Sequence, residues 1–196
     1  MRLTGIAASP RRGGNSEALL DSALAGAREA GAEVEKIAAA ELDIEPCRNC
    51  GGCSRTGTCV VGDDMRRLYA LLRRTDRLVI SSPIFFGHLP GKFKGLIDRL
   101  QCFWVEKYAL KKEAGAAPPR REGKGEGKGL FLCCGALKTR EFFEMAKRTI
   151  EIAMKCLDME LGEALFFPGI DEKLAADAHP EILDEARAAG RRLAER

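Results

Sequence analysis

Half of the eight cysteines in this 196-residue chain fall within thirteen residues, at Cys47, Cys50, Cys53 and Cys59, in the pattern C-x2-C-x2-C-x5-C. Two overlapping C-x-x-C steps let one turn of chain aim three thiolates at a common point, and a fourth arriving from farther on closes a four-ligand cage. Bacterial ferredoxin loops hold a [4Fe–4S] cluster in this manner, with the run C-x2-C-x2-C-x3-C-P. Here the last gap is longer and Val60, not proline, follows Cys59. Structural zinc also takes four cysteines, usually as two separate C-x2-4-C knuckles with a long spacer; three ligands within seven residues match that poorly. A thiol loop without metal is the remaining alternative. Gly51, Gly52 and Gly57 let the backbone turn tightly and bring its N–H groups close to sulfur. If iron and sulfide fill the cage, the chain moves electrons.

A second group of residues has the chemistry of a phosphate site. Ser9-Pro10-Arg11-Arg12-Gly13-Gly14-Asn15-Ser16 joins an apolar run to a helical pattern. Small hydroxyl and amide side chains at a helix N-terminus, with its unpaired N–H groups and positive dipole end, favour a dianion. Arg11 can add a charge-assisted contact. Capping by Asn15 or Ser16 alone explains one such residue but not the whole run. No G-x-G-x-x-G is present, so a mononucleotide fits better than a dinucleotide as the tightly held cofactor. A third group, Ser82-Pro83-Ile84-Phe85-Phe86-Gly87-His88, offers a stiffened turn, flat apolar rings and a glycine that admits close backbone approach. Such a loop suits one edge of an isoalloxazine. His88 has the character of a surface residue and is not a site candidate. With only His88 and His179 available, no Ser–His or Cys–His pair can be assembled, and no catalytic side chain is assigned.

These groups need a frame that brings loops together, and the hydrophobic periodicity supplies one. Short apolar strands, Leu3 to Ala8, Val34 to Ala38, Arg77 to Ser81, Leu130 to Cys134 and Leu161 to Phe167, alternate with helical patterns. The helices are expected over Asn15 to Gly31, from the Asp63-Asp64 cap through Leu72, over Phe93 to Tyr108, over Arg140 to Met159, and from Glu181 onward. Leu20, Ala23, Leu24 and Ala27 form one inward stripe; Phe142, Ala146, Ile150, Ala153 and Leu157 form another. Five strands separated by helices predict an α/β fold: a flavodoxin-like three-layer sandwich with a five-stranded parallel sheet in the order 2-1-3-4-5. Ligands then bind beyond the carboxyl ends of the strands, where the loops after the first and third strands meet. The chain reads as one domain over 1–196, with a cysteine-rich loop at 43–63 and a polar, glycine-rich insertion at 111–129 that holds no phosphate-binding motif.

Composition excludes several classes. The 32 basic and 29 acidic side chains are interleaved and leave a net charge of +3, which is no nucleic-acid footprint. No apolar run approaches membrane-spanning length, and the first residues read as a strand instead of a signal peptide. Many thiols without an export signal fit a reducing cytoplasm, where disulfides are rare. Cys102, Cys133 and Cys156 lie in helical or strand patterns where cysteine serves as a small apolar residue, and Trp104 suits the core or a subunit interface.

SPRRGGNS, the cysteine loop followed by GDDM, SPIFFG, and KFKGLIDRLQCFWVEKYAL together resemble the iron–sulfur flavoprotein branch of the flavodoxin-like NAD(P)H-dependent FMN reductases, over most of residues 3 to 110. The resemblance implies FMN at the strand ends, with Ser9, Arg11, Asn15 and Ser16 on its phosphate and Pro83, Ile84, Phe85, Phe86 and Gly87 on its ring. It implies a [4Fe–4S] cluster on Cys47, Cys50, Cys53 and Cys59, and a homodimer or homotetramer in which each cluster lies near a flavin, in some members that of a neighbouring subunit. Two departures stand out: Ala8 where a glycine is common, and Cys133-Cys134-Gly135-Ala136 where relatives have a turn richer in glycine or serine. Cys134 and Gly135 are the candidates for completing the ring pocket. The expected function is electron transfer between cluster and flavin, letting a one-electron donor such as a ferredoxin serve a two-electron acceptor. The alternatives are an NAD(P)H-dependent FMN or quinone reductase without a cluster, and a zinc-stabilised redox or partner-binding module.

Overall fold

The computed structural model describes residues 1–110, 127–172 and 175–195. Five strands, β1 (Arg2–Ala7), β2 (Glu33–Ala38), β3 (Arg77–Pro83), β4 (Gly127–Gly135) and β5 (Met159–Pro168), form one sheet in the order β2-β1-β3-β4-β5. Every neighbouring pair is parallel. A parallel sheet needs crossovers, and helices covering both faces supply them. The helices are α1 (Asn15–Glu29), α2 (Met65–Arg74), α3 (Gly91–Asp98), α4 (Gln101–Trp104), α5 (Glu141–Cys156) and α6 (Pro180–Glu195), with a π-helical extension of α4 over Val105–Leu110.

Side-chain alternation along the strands divides the core. Leu3, Val79, Leu130 and Leu132 pack beneath α1 and α6. Ile6, Leu78, Ile80, Phe131 and Cys133 pack on the opposite face with α2, α3, α4 and α5. Gly26 and Gly190 bring α1 and α6 together: a Cβ on Gly26 would collide with the backbone of Arg187, and one on Gly190 with that of Ala23.

Three elements differ from the sequence-based expectation. The single helix expected over Phe93–Tyr108 is broken at Asp98–Gln101, where Arg99 and Leu100 make a turn between α3 and α4. The inward stripe of α5 begins at Phe143, which is buried, while Phe142 is half-buried against Gly87. Of the expected insertion at 111–129, residues 111–126 lie outside the described residues, and Gly127, Lys128 and Gly129 open β4. Among the described residues no helix is long and apolar enough to cross a membrane.

Candidate functional site

The turn after β1 is built around Glu17. Its carboxylate accepts hydrogen bonds from Arg12 Nη2 at 2.8 Å and the Gly13 amide at 2.7 Å, and pairs with Lys36 Nζ at 2.7 Å. The Arg12 hydrogen bond leads, with Lys36 and the Gly13 amide assisting, and against the cost of burial they hold the carboxyl down to about 2. Arg12 is thereby neutralised, whereas Arg11 has no carboxylate partner among the described residues. Gly14 caps α1 with no side-chain hydrogen bond, and its carbonyl accepts the Glu17 and Ala18 amides. The amides that head α1 therefore face the strand ends, where an anion is favoured. Ser9 Oγ accepts the Arg11 amide at 3.0 Å, and Ser81 Oγ donates to the Ser16 carbonyl at 2.6 Å, tying α1 to β3. The side-chain amide of Asn15 is already engaged: it donates to the Glu172 carbonyl at 2.7 Å and accepts from the Ala176 amide at 3.1 Å. It links the head of α1 to the chain beyond β5.

Ser9, Arg11, Asn15, Ser16, Pro83, Ile84, Phe85, Cys134 and Gly135 line one pocket at the carboxyl ends of β1, β3 and β4. Gly14, Ala136, Leu137, Ile170 and Asp171 complete its wall; the sequence reading did not include them. Ile170 and Asp171 follow β5, and the strand-end rule extended by one strand points to them. Gly135 packs so closely on Ile84 that its Cβ would stand 3.3 Å from the Ile84 Cβ, and the Ile84 amide donates to the Cys134 carbonyl at 3.0 Å. Burial pushes the thiol of Cys134, one of the lining residues, up to about 12. Phe86 and Gly87 lie outside this lining. They are the central residues of a tight turn in which the amides and carbonyls of Phe85 and His88 bond reciprocally at 2.8 and 3.0 Å. Both have positive φ, 48° and 74°, the geometry of a type I′ turn. The Phe86 ring is fully exposed. His88 Nε2 meets Thr149 Oγ1 at 3.1 Å.

The cysteine loop is clamped at its base. The Asp43 amide donates to Asp64 Oδ2 at 2.8 Å and the Glu45 amide to Asp63 Oδ2 at 3.0 Å. Asp63 Oδ1 accepts the Met65 amide at 3.1 Å, so Asp63 carries the capping role expected of the pair. Arg99, 2% exposed, grips Asp63 with both terminal nitrogens at 2.6 and 3.1 Å, and donates from Nη1 to the Glu45 carbonyl at 2.7 Å. Burial works against charge on Arg99, but Asp63 more than restores it and the guanidinium pKa is raised. Within the loop, Asn49, Gly51 and Gly57 adopt positive φ, which reverses the chain repeatedly. Cys47, Cys50, Cys53 and Cys59, all free thiols, line one pocket together with Arg99, Val105 and a fifth cysteine, Cys102. Burial pushes the Cys53 thiol up, and the neighbouring Cys59, Cys47 and Cys50 add to this. The four cysteines thus line one pocket; among the described residues no three His, Cys, Asp or Glu groups converge closely enough to hold a single metal ion. The donor set, four thiols and a buried guanidinium around one pocket, fits a tetrathiolate iron–sulfur group. Cys102 is buried, as its helical pattern predicts, but it also faces this pocket. Cys133 and Cys156 are buried in the core, and Trp104 is 45% exposed.

The family model described as NADPH-dependent FMN reductase matches residues 1–125. An iron–sulfur flavoprotein of Methanosarcina thermophila is 36% identical over 117 residues, 60% of this chain and 61% of that protein. One of Archaeoglobus fulgidus is 37% identical over 100 residues, 51% of this chain and 46% of that protein. The chain therefore spans about half to three fifths of the length of these relatives. A solved flavone reductase shares the fold, with a TM-score of 0.74 at 23% identity, covering 100% of this chain and 62% of the other. With the family model matched over more than half of its length, the chain belongs to the NADPH-dependent FMN reductase family, within which it resembles the iron–sulfur flavoprotein branch.

Proposed function

We propose that the chain is a flavin-dependent oxidoreductase that binds FMN at the strand-end pocket and a [4Fe–4S] cluster in the cysteine pocket, linking a ferredoxin-like or NAD(P)H donor to a two-electron acceptor. The observation that carries this reading is that one chain holds both an anion cradle opening onto an apolar slot and a separate pocket lined by four free thiols. When bound, the cluster would supply one-electron chemistry and the flavin two-electron chemistry, and the protein supplies binding, orientation and electrostatics. Ser9, Ser16 and the amides heading α1 hold the phosphate, Asn15 fixes that helix head, and Arg11 supplies the counter-charge. Pro83, Ile84 and Phe85 on one side, with Cys134 and Gly135 on the other, bound the ring and exclude water, and the turn bearing Phe86 and Gly87 borders its edge. Cys47, Cys50, Cys53 and Cys59 are the metal ligands, and the Arg99–Asp63 clamp holds their loop. A reducing compartment, the cytoplasm, suits eight free thiols, and a homodimer or homotetramer is the working assembly.

The second reading, an NAD(P)H-dependent FMN or quinone reductase without a cluster, is favoured by the donor named in the family description. Anaerobic reconstitution with FMN, iron and sulfide decides between them. The expected product binds FMN and about four irons per chain, with cluster absorbance that bleaches on reduction. FMN without iron selects the second reading. Failure to retain FMN sinks both.

A further inference from the structure

Arg99 carries one group that the fold does not use. Its Nη1 and Nη2 are engaged by Asp63 and the Glu45 carbonyl. Its Nε–H is fully buried and, among the described residues, is the one buried side-chain polar atom without a hydrogen-bond partner. A buried donor left unsatisfied forfeits its hydration without compensation, and native folds rarely leave one without a reason. Arg99 also lines the pocket shared by Cys47, Cys50, Cys53 and Cys59. We infer that Arg99 is a positioning and tuning residue of the cysteine site, whose Nε–H donates a hydrogen bond to a sulfur there, a cysteine thiolate or an inorganic sulfide.

The chemistry is consistent. Four thiolates around a cluster leave net negative charge, and hydrogen bonds to sulfur together with nearby charge are among the factors that set such a centre's reduction potential. A guanidinium suits the task better than an ammonium. Its planar fork binds Asp63 with two nitrogens and leaves a third N–H in a fixed direction. The same side chain therefore closes the base of the ligand loop and presents a donor to what the loop holds. Added electron density on sulfur strengthens that hydrogen bond, so the reduced state gains more than the oxidised one and the potential rises.

This inference rests on the cluster reading, and the experiment separates the two. Protein grown with 15N-arginine is reconstituted anaerobically, reduced with dithionite and measured by electron–nuclear double resonance. The expected result is a weak 15N coupling to the reduced cluster that persists in Arg48→Lys and vanishes in Arg99→Lys. Arg99→Lys preserves a cation for Asp63 and so keeps the fold, while lacking Nε–H. Its midpoint potential is expected to shift negative, and that of Arg99→Gln farther still. A cluster with no arginine coupling in the unsubstituted protein overturns the inference whether or not any variant folds, and so does an unchanged potential in folded Arg99→Lys. Absence of any cluster in the unsubstituted protein sinks the parent reading, and this one with it.

Discussion

Glu17, in the first turn of α1, and Phe86, in the turn after β3, are held in opposite ways. Glu17 is buried with two cations and an amide on its oxygens, and its folded-state pKa of about 2 lies below the ordinary 4.5. A depressed carboxyl contributes stability that is fully present above the unfolded value and disappears as pH falls through the folded one. Glu17→Gln should therefore cost about 2 kcal/mol near neutrality, the scale of lost hydrogen bonds to a charged group. The difference from the unsubstituted protein should shrink between pH 4.5 and 2, as read by urea unfolding at stepped pH. A difference that does not change over that range would show that the carboxylate's charge does not matter. Phe86 is over-constrained instead. A bulky residue in the left-handed region costs roughly 1–2 kcal/mol, and its ring, being fully exposed, recovers nothing by burial. Asparagine is the favoured first central residue of such a turn before glycine. Phe86→Asn should raise apoprotein stability by about 1 kcal/mol, the lower end of that strain range. A fall in the unfolding midpoint would mean that the ring has a partner which repays the strain.

At the scale of elements, packing overrides propensity where α1 meets α6. Alanine ordinarily improves a helix over glycine by about 1 kcal/mol. At Gly190, however, the added methyl would run into the backbone of Ala23, not into a side chain that can turn aside. Gly190→Ala is thus expected to destabilise by about 2 kcal/mol net, in the range of overpacked cores, and thermal unfolding checks the sign. The same contest decides what could be read from sequence. The strands, their order and the α1 stripe were legible because burial on both faces of a parallel sheet forces apolar runs that alternate with helices. That the four loop cysteines share one pocket, and that the turn after β1 lines another, was legible because chemistry restricts the residue types. The break at Arg99 was not. No glycine or proline marks it, and the turn is fixed by Asp63 and the Glu45 carbonyl, 36 and 54 residues away. Adjacent aromatics Phe142 and Phe143 could not be ranked either, since a period of 3.6 does not resolve neighbours. Nor could the engagement of Asn15 with Glu172 and Ala176, whose partners lie 157 and 161 residues on.

For the molecule as a whole, the question is how the two pockets communicate, because they share no lining residue within one chain. The cysteine pocket borders α4 and the turn at Arg99, and the strand-end pocket opens beside the Phe85–His88 turn. Along α5 runs an exposed stripe of Met145 and Ile152, at helical spacing with Thr149, which contacts His88 of that turn. Phe85, Phe86 and Leu137 add further exposed apolar area on the same loops. Under the proposed homo-oligomer, a second copy of the chain would occupy this face. Its docking would cover the apolar stripe and, on the proposed reading, bring another subunit's cysteine pocket toward the strand-end pocket. Charge placed in the stripe should therefore dissolve the assembly without touching either pocket. Met145→Lys with Ile152→Lys is expected to sediment as a monomer, retain FMN, iron and sulfide contents, and lose most turnover with a one-electron donor. A monomer with undiminished turnover would locate the route between the sites inside a single chain, and an undissociated variant would move the interface to another face.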